Sequence, residues 1–140
     1  MKIYIAFTRK NIIAAIALFL IVFALSFKVY SVFANTTMMD TEDKRLSFIE
    51  NLGIAVEKCT SVKEITIPEK FSKVYENYNE LQEKAGFNLK EYKGRAAKVY
   101  SYKEAGNERI INLIVCDGML IGGDISEVKL SGEMKPLLME

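Results

Sequence analysis

Ile12 to Leu25 is an unbroken run of apolar residues, and it constrains this chain more than any other feature. Ser26, Phe27 and Val29 to Ala34 extend it, with Lys28 as the only charge. A helix over 11–34 would rise roughly 36 Å at about 1.5 Å per residue, enough to cross a hydrocarbon core of about 30 Å. A chain of 140 residues has room for one small core and an appendage. A run this apolar is poorly suited to burial inside that core. The spacing therefore predicts a transmembrane anchor in contact with the lipid bilayer over 11–34. Lys28, near the far end, would snorkel outward along its stem, and Tyr4 and Tyr30 would fall near the two interfaces.

Charge sets the orientation. The first 34 residues hold Lys2, Arg9, Lys10 and Lys28 and no acid. All 18 acids follow, against the remaining 15 of the 19 basic residues, which leaves that part at about −3. Basic residues before the run favour a cytoplasmic N-terminus at 1–10 and an extracytoplasmic C-terminal part. Cleavage is the alternative, because Val32-Phe33-Ala34 offers acceptable residues one and three positions before a cut after Ala34. The chain would then be secreted. Lys28, Tyr30 and Phe33 crowd the region that a cleavable signal keeps polar and extended, so the uncleaved anchor is preferred. A slightly acidic domain without a basic stripe also has no pull on phosphate backbones, which argues against nucleic acid as a partner.

The remainder reads as an α+β domain over 41–135, entered through a linker at 35–40 and followed by a tail at 136–140. Asp40 or Thr41 can cap a helix in which Leu46, Phe48, Ile49 and Leu52 form one apolar face and Gly53 marks the stop. "IAVEK" and "VKEITI" alternate as two short edge strands on either side of Cys59-Thr60-Ser61. Pro68 opens a second helix whose Phe71, Val74, Tyr75, Tyr78 and Leu81 make a buried stripe. "RAAKVYSYK", "RIINLIVC" and "MLIGGDIS", with "EVKL" continuing the last, predict a three-stranded antiparallel meander carrying the two helices. The middle strand is apolar on both faces apart from Asn112.

"GMLIGGDIS" looks like a ligand loop, but its context favours a hairpin. Asp117-Gly118 suits a two-residue type I′ turn, in which both central residues need positive φ. Gly122-Gly123 then lies inside a strand, where glycine marks a bulge or a close neighbour. A phosphate loop would open a helix, whereas Ile125, Val128 and Leu130 continue with period two.

"RLSFIENLGIAVE", "ITIPEKFSKVYENYNELQEKAGFNLKEYKG" and "NLIVCDGMLIGGDISEVKLSGEM", over about residues 44 to 134, resemble the domain of unknown function 4830 family. Members of that family occur in Gram-positive, often spore-forming bacteria and pair an N-terminal hydrophobic segment with one compact domain. The resemblance implies an anchored protein of the bacterial cell envelope. It implies no activity, cofactor or site residue.

The residues offer little chemistry. The chain has no histidine, the commonest general base, and no C-x-x-C, so neither a metal site nor a thiol–disulfide centre is expected. Cys59 and Cys116 could bridge outside the cytoplasm, but buried free thiols are the expectation. Asp117 and Asp124 are the only carboxylate pair worth weighing for catalysis, and a turn tip and a strand are a poor pairing. No cofactor is expected and the chain is read as not an enzyme. A binding or sensing module remains, with a structural or assembly component of an envelope complex as the alternative, and a small secreted enzyme behind both. Another envelope protein is the partner to look for. Phe87, Tyr92, Tyr100 and Tyr102 are the candidate contact residues, since tyrosine joins a large apolar face to a polar tip. Tyr92, in a loop between Glu91 and Lys93, is the first choice. Tyr100 and Tyr102 share one strand face, so they should be buried or available together.

Overall fold

The computed structural model describes the backbone of residues 9–128 and 132–138, and side-chain surroundings for 12–26 and, within those ranges, from 38 onward. The expectations on the N-terminal flank, Tyr4, the side chains of Lys28, Tyr30 and Val32 to Ala34, Leu130 and the last two residues lie outside what is described. The chain forms two units, Met1–Thr36 and Thr37–Glu140.

In the first unit, helix α1 covers Arg9–Thr37. Every described side chain on it, Ile12 to Ser26, is exposed. Among the described residues no helix is long and apolar enough to cross a membrane. The stretch with described side chains, 12–26, is roughly 22 Å of helix at about 1.5 Å per residue, short of the ~30 Å of a hydrocarbon core. The helical backbone itself runs on to Thr37.

The second unit is α+β. Its elements are α2 (Glu42–Asn51), β1 (Val56–Thr66), α3 (Lys73–Glu83), a 3₁₀ turn (Leu89–Tyr92), β2 (Ala96–Glu104), β3 (Arg109–Cys116), β4 (Met119–Glu127) and β5 (Met134–Pro136). The described strands form one antiparallel sheet in the order β1-β2-β3-β4-β5. The expected meander is its centre. The two short edge strands are instead one strand, β1, irregular between Val56 and Ser61, where Cys59 and Thr60 fall. Thr60 turns its hydroxyl onto the Ser101 carbonyl at 2.9 Å, which lets the chain pass through that irregularity without leaving the sheet. β5 has no counterpart among the expected strands.

Residues alternate across each strand, so each side of the sheet has its own core. Tyr102, Ile111, Leu113, Val115 and Leu120 pack with Ile49 of α2 and, around it, Leu46, Phe48 and Leu52. On the other side Ala97, Ile114, Cys116 and Ile121 pack with Leu89, Tyr75 and Tyr78. The helices therefore flank the sheet from opposite sides. Each fully buried isoleucine or leucine contributes about 1.5–3 kcal/mol. Cys59 packs with the α2-side core and Cys116 with the α3-side core, and both are free thiols.

Several boundaries differ from the sequence reading. Thr41 caps α2, accepting from the Lys44 N–H. α3 starts at Lys73 with Ser72 as its cap, not at Pro68. Ile67 explains the delay: it is fully buried, and its N–H and C=O bond Arg95 and Gly94, so the chain stays extended up to the proline. The buried row also differs from the expected one. Val74 is 78% exposed, while Asn79 and Gln82 are buried. The linker assigned to 35–40 is partly domain, since Met38 bridges Met119 and buried Met39 donates its N–H to the Gly118 carbonyl at 2.6 Å. The tail is not free either, because Leu137 enters the core.

Candidate functional site

The hairpin has the expected turn. Asp117 (φ 49°) and Gly118 (φ 78°) are both left-handed, and Cys116 pairs with Met119 across them. In β4, Ile114 pairs with Gly122 while Val115 pairs with Leu120, so Ile121 is the extra residue of a bulge. The two glycines give neighbours room on both sides. A Cβ on Gly122 would stand 2.8 Å from Gln82 Oε1, and one on Gly123 would stand 2.5 Å from the Asn112 carbonyl and 2.7 Å from Leu137 Cδ2. The "GMLIGGDIS" glycines are thus a turn and a packing seam.

The four candidate aromatics have different fates. Tyr102 is fully buried, its hydroxyl accepting from Arg45 Nε at 2.8 Å. Tyr100, on the same strand face, is half-buried and opens onto a groove, so the two are not available together. The difference arises because the Tyr102 end of that face lies in the core packed around α2, while the Tyr100 end borders open space. Tyr92 is half-buried against the α3-side core with the Arg95 guanidinium 5.5 Å from its ring. Phe87 packs against the α2-side core. The structure does not bring the four into one site.

The groove is about 440 Å³, within the range of small-molecule sites. Met39, Ala97, Tyr100 and Val115 give it apolar surface, and Asp40, Glu64, Asp117 and Lys98 bring charge. Arg45, itself only 7% exposed, stacks its guanidinium 3.8 Å from the Tyr100 ring centroid and donates to the Met39 carbonyl at 2.7 Å. It fixes the segment that forms one wall. Each carboxylate has an exposed cationic neighbour: Lys44 for Asp40 at 2.7 Å, Lys98 for Glu64 at 3.5 Å, and Arg95 for Asp117. The Lys44 hydrogen bond holds the Asp40 carboxyl below its ordinary pKa. Arg45 escaped the sequence reading although Arg45, Ile49 and Leu52 are spaced as one helix face.

A second polar cluster lies on the opposite side of the sheet. Ser101, Asn112 and Asp124 are direct partners across β2, β3 and β4. Ser101 donates to Asn112 Oδ1 at 2.7 Å, and Asn112 Nδ2 donates to Asp124 Oδ1 at 2.9 Å. From α3 the Tyr78 hydroxyl donates to Asp124 Oδ2 at 2.8 Å. Asp124 is 3% exposed, and burial raises its pKa against the opposing hydrogen bonds of Asn112 and Tyr78. Burial, followed by the Asp124 charge, pushes the Tyr78 hydroxyl well up. Gln82 Oε1 accepts the Gly123 N–H at 2.7 Å, and Asn79 Oδ1 accepts the Leu89 N–H at 2.8 Å. This cluster fastens α3 to β4. The lone polar residue in the middle strand, Asn112, was its one signal in the sequence.

Asp117 and Asp124 have separate surroundings, one at an exposed turn and one sealed beneath α3. Among the described residues no group of three or more His, Cys, Asp or Glu side chains is placed to hold a metal ion. No curated protein and no solved structure matches the chain. A family model does, described as Domain of unknown function (DUF4830), over residues 48–109. The match runs from the second half of α2 through β1, α3 and β2 to the first residue of β3. The chain thus carries a domain of the DUF4830 family, matched from residue 48 to residue 109.

Proposed function

We propose that the chain is a single-pass membrane protein whose DUF4830 domain serves as a non-catalytic binding or sensing module outside the cytoplasm, at the bacterial cell envelope. The observation that carries this reading is α1. It is a helix of 29 residues, about 43 Å at about 1.5 Å per residue, and its apolar side chains from Ile12 to Leu25 are exposed. A lipid bilayer over 11–34 would remove that surface from water. Of the four basic residues in the first 34, Lys2, Arg9 and Lys10 precede the apolar run and only Lys28 follows it, which favours a cytoplasmic N-terminus. The open groove beside Tyr100 supports a binding role.

The reading is tested in two steps. Membrane fractionation with protease treatment of wall-stripped cells should find the domain sedimenting with membranes and digested from outside. A photo-crosslinking residue at Ala96, on the groove rim, should then capture a partner in intact cells that the same residue at Val74, on exposed α3 surface, does not. Equal capture from both positions would remove the groove from the account. The assembly reading draws support from Val62, 55% exposed on edge strand β1. A stable stoichiometric complex captured from position 62 rather than 96 would favour it.

A further inference from the structure

We propose that α3 is a releasable lid over one face of the sheet, held by a side-chain latch that Asp124 makes pH-sensitive. The two helices of the domain are attached in different ways. α2 buries Ile49 completely, with Leu46, Phe48 and Leu52 packed around the same core. The buried residues of α3 are instead Asn79 and Gln82, and its apolar hold on the sheet is the half-buried Tyr75 and Tyr78. Three polar links fasten it: Tyr78 to Asp124, Gln82 to the Gly123 N–H and Asn79 to the Leu89 N–H. On release such bonds are exchanged for bonds to water, so each holds the helix less firmly than its strength in isolation suggests. Gln82 Nε2 is buried with no partner among the described residues, a donor that docking strips of water and release returns to it. A helix attached in this way lies at the low-stability end of a domain and can open while the rest stays folded.

Asp124 is the sensitive link. The groups that face it are neutral: Tyr78 from α3 with Tyr75 beside it, Asn112 from β3, Ser126 from its own strand and, opposite it on β5, Pro136. The Glu76 and Glu83 carboxylates of α3 are engaged elsewhere, with Lys90 and Asn79. A charge on Asp124 is therefore met by hydrogen bonds from neutral donors, beneath a helix that keeps water away. Burial raises its pKa in the docked state, and release returns the carboxyl to water. The docked state thus holds the Asp124 proton more tightly than the released state does. Docking is strongest at low pH, weakens as pH rises through the docked pKa and levels off above it.

Two backbone amides report the latch directly, because Gly123 and Leu89 each donate to an α3 side chain. The test is amide hydrogen exchange, followed by NMR across a range of pH, on the full chain in neutral detergent micelles. Each rate is divided by the intrinsic rate at that pH to give an opening constant. Gly123 and Leu89 should share one opening constant, larger than that of Leu113 within β3, and it should rise with pH. Asp124→Asn should remove the rise, and Tyr78→Phe should increase opening about tenfold at neutral pH. Exchange of Gly123 and Leu89 only as fast as Leu113 would mean that α3 opens with the whole domain, and would overturn the proposal. So would unequal opening constants at the two amides, or a rise with pH that survives Asp124→Asn. A wild-type opening constant that is flat in pH overturns it whether or not that variant folds.

Discussion

At the scale of single residues, the account turns on positions where backbone or burial leaves no latitude. Gly118 and Gly123 should fail for different reasons. A Cβ on Gly118 meets Met38 and Asp40 no closer than 3.6 Å, so Gly118→Val should cost about 1–2 kcal/mol, from its positive φ alone. A Cβ on Gly123 collides with backbone at 2.5 Å, so Gly123→Ala should cost more, about 2–3 kcal/mol, despite adding less. Thermal or denaturant melting of both variants checks the order; a milder Gly123→Ala would contradict the packing seam. Asp124 makes a pH prediction. Its folded pKa is raised, so the folded state binds its proton more readily than the unfolded chain does. Its contribution therefore favours folding as pH falls from above the folded pKa toward the unfolded value of about 3.9, and levels off below that. Glu104 and Asp40, lowered by Arg109 and Lys44, act in the opposite sense. The difference between wild type and Asp124→Asn isolates the Asp124 part: the variant should lose the component that rises toward acid. A slope unchanged by the substitution would mean that burial does not shift this carboxyl.

At the scale of elements, the parts of the fold legible in the sequence were those governed by local periodicity and turn chemistry. Asp117-Gly118 announced its turn because few pairs accept two positive φ values, and the β2–β3–β4 alternation announced the meander. Thr41 was readable as a cap because the apolar face of α2 begins just beyond it. The errors came where tertiary contacts overrode local signals. Pro68 is a good helix start, but pairing of Ile67 with the Gly94–Arg95 segment holds the chain extended, and Ser72 takes the capping role. Ser72→Ala should accordingly destabilise the domain by about 1 kcal/mol in a denaturant melt, while Pro68→Ala should do less. The reverse order would restore the earlier helix start. The candidate site was less legible. Tyr100 was named, but Asp40 and Arg45 join it through the way the 38–40 segment pairs with the hairpin, and Glu64 through its β1–β2 register opposite Lys98, which no local pattern encodes. Asn79 and Gln82 likewise look like surface residues on a charged helix; Gln82 is buried where Gly122 leaves room for it, and Asn79 where it accepts the Leu89 N–H.

At the scale of the whole molecule, two units of opposite character are joined in one chain. One is a helix whose described side chains are apolar and exposed; the other has its own two-sided core, charged rim and a groove. An exposed apolar run of this length is costly in water, at about 25 cal/mol for each Å² left wet, and on the proposed reading a bilayer relieves that cost. The chain beyond residue 34, with about −3 of charge, has no comparable apolar run and is expected to stay in water. The proposed function requires that α1 is retained in the cell as an anchor. Mass spectrometry of the mature protein from fractionated cells tests it most directly. The account predicts an intact chain, still carrying residues 11–34, recovered in the membrane fraction and shortened from the C-terminal side by external protease. A mature chain beginning at Asn35 and recovered from the medium would contradict it.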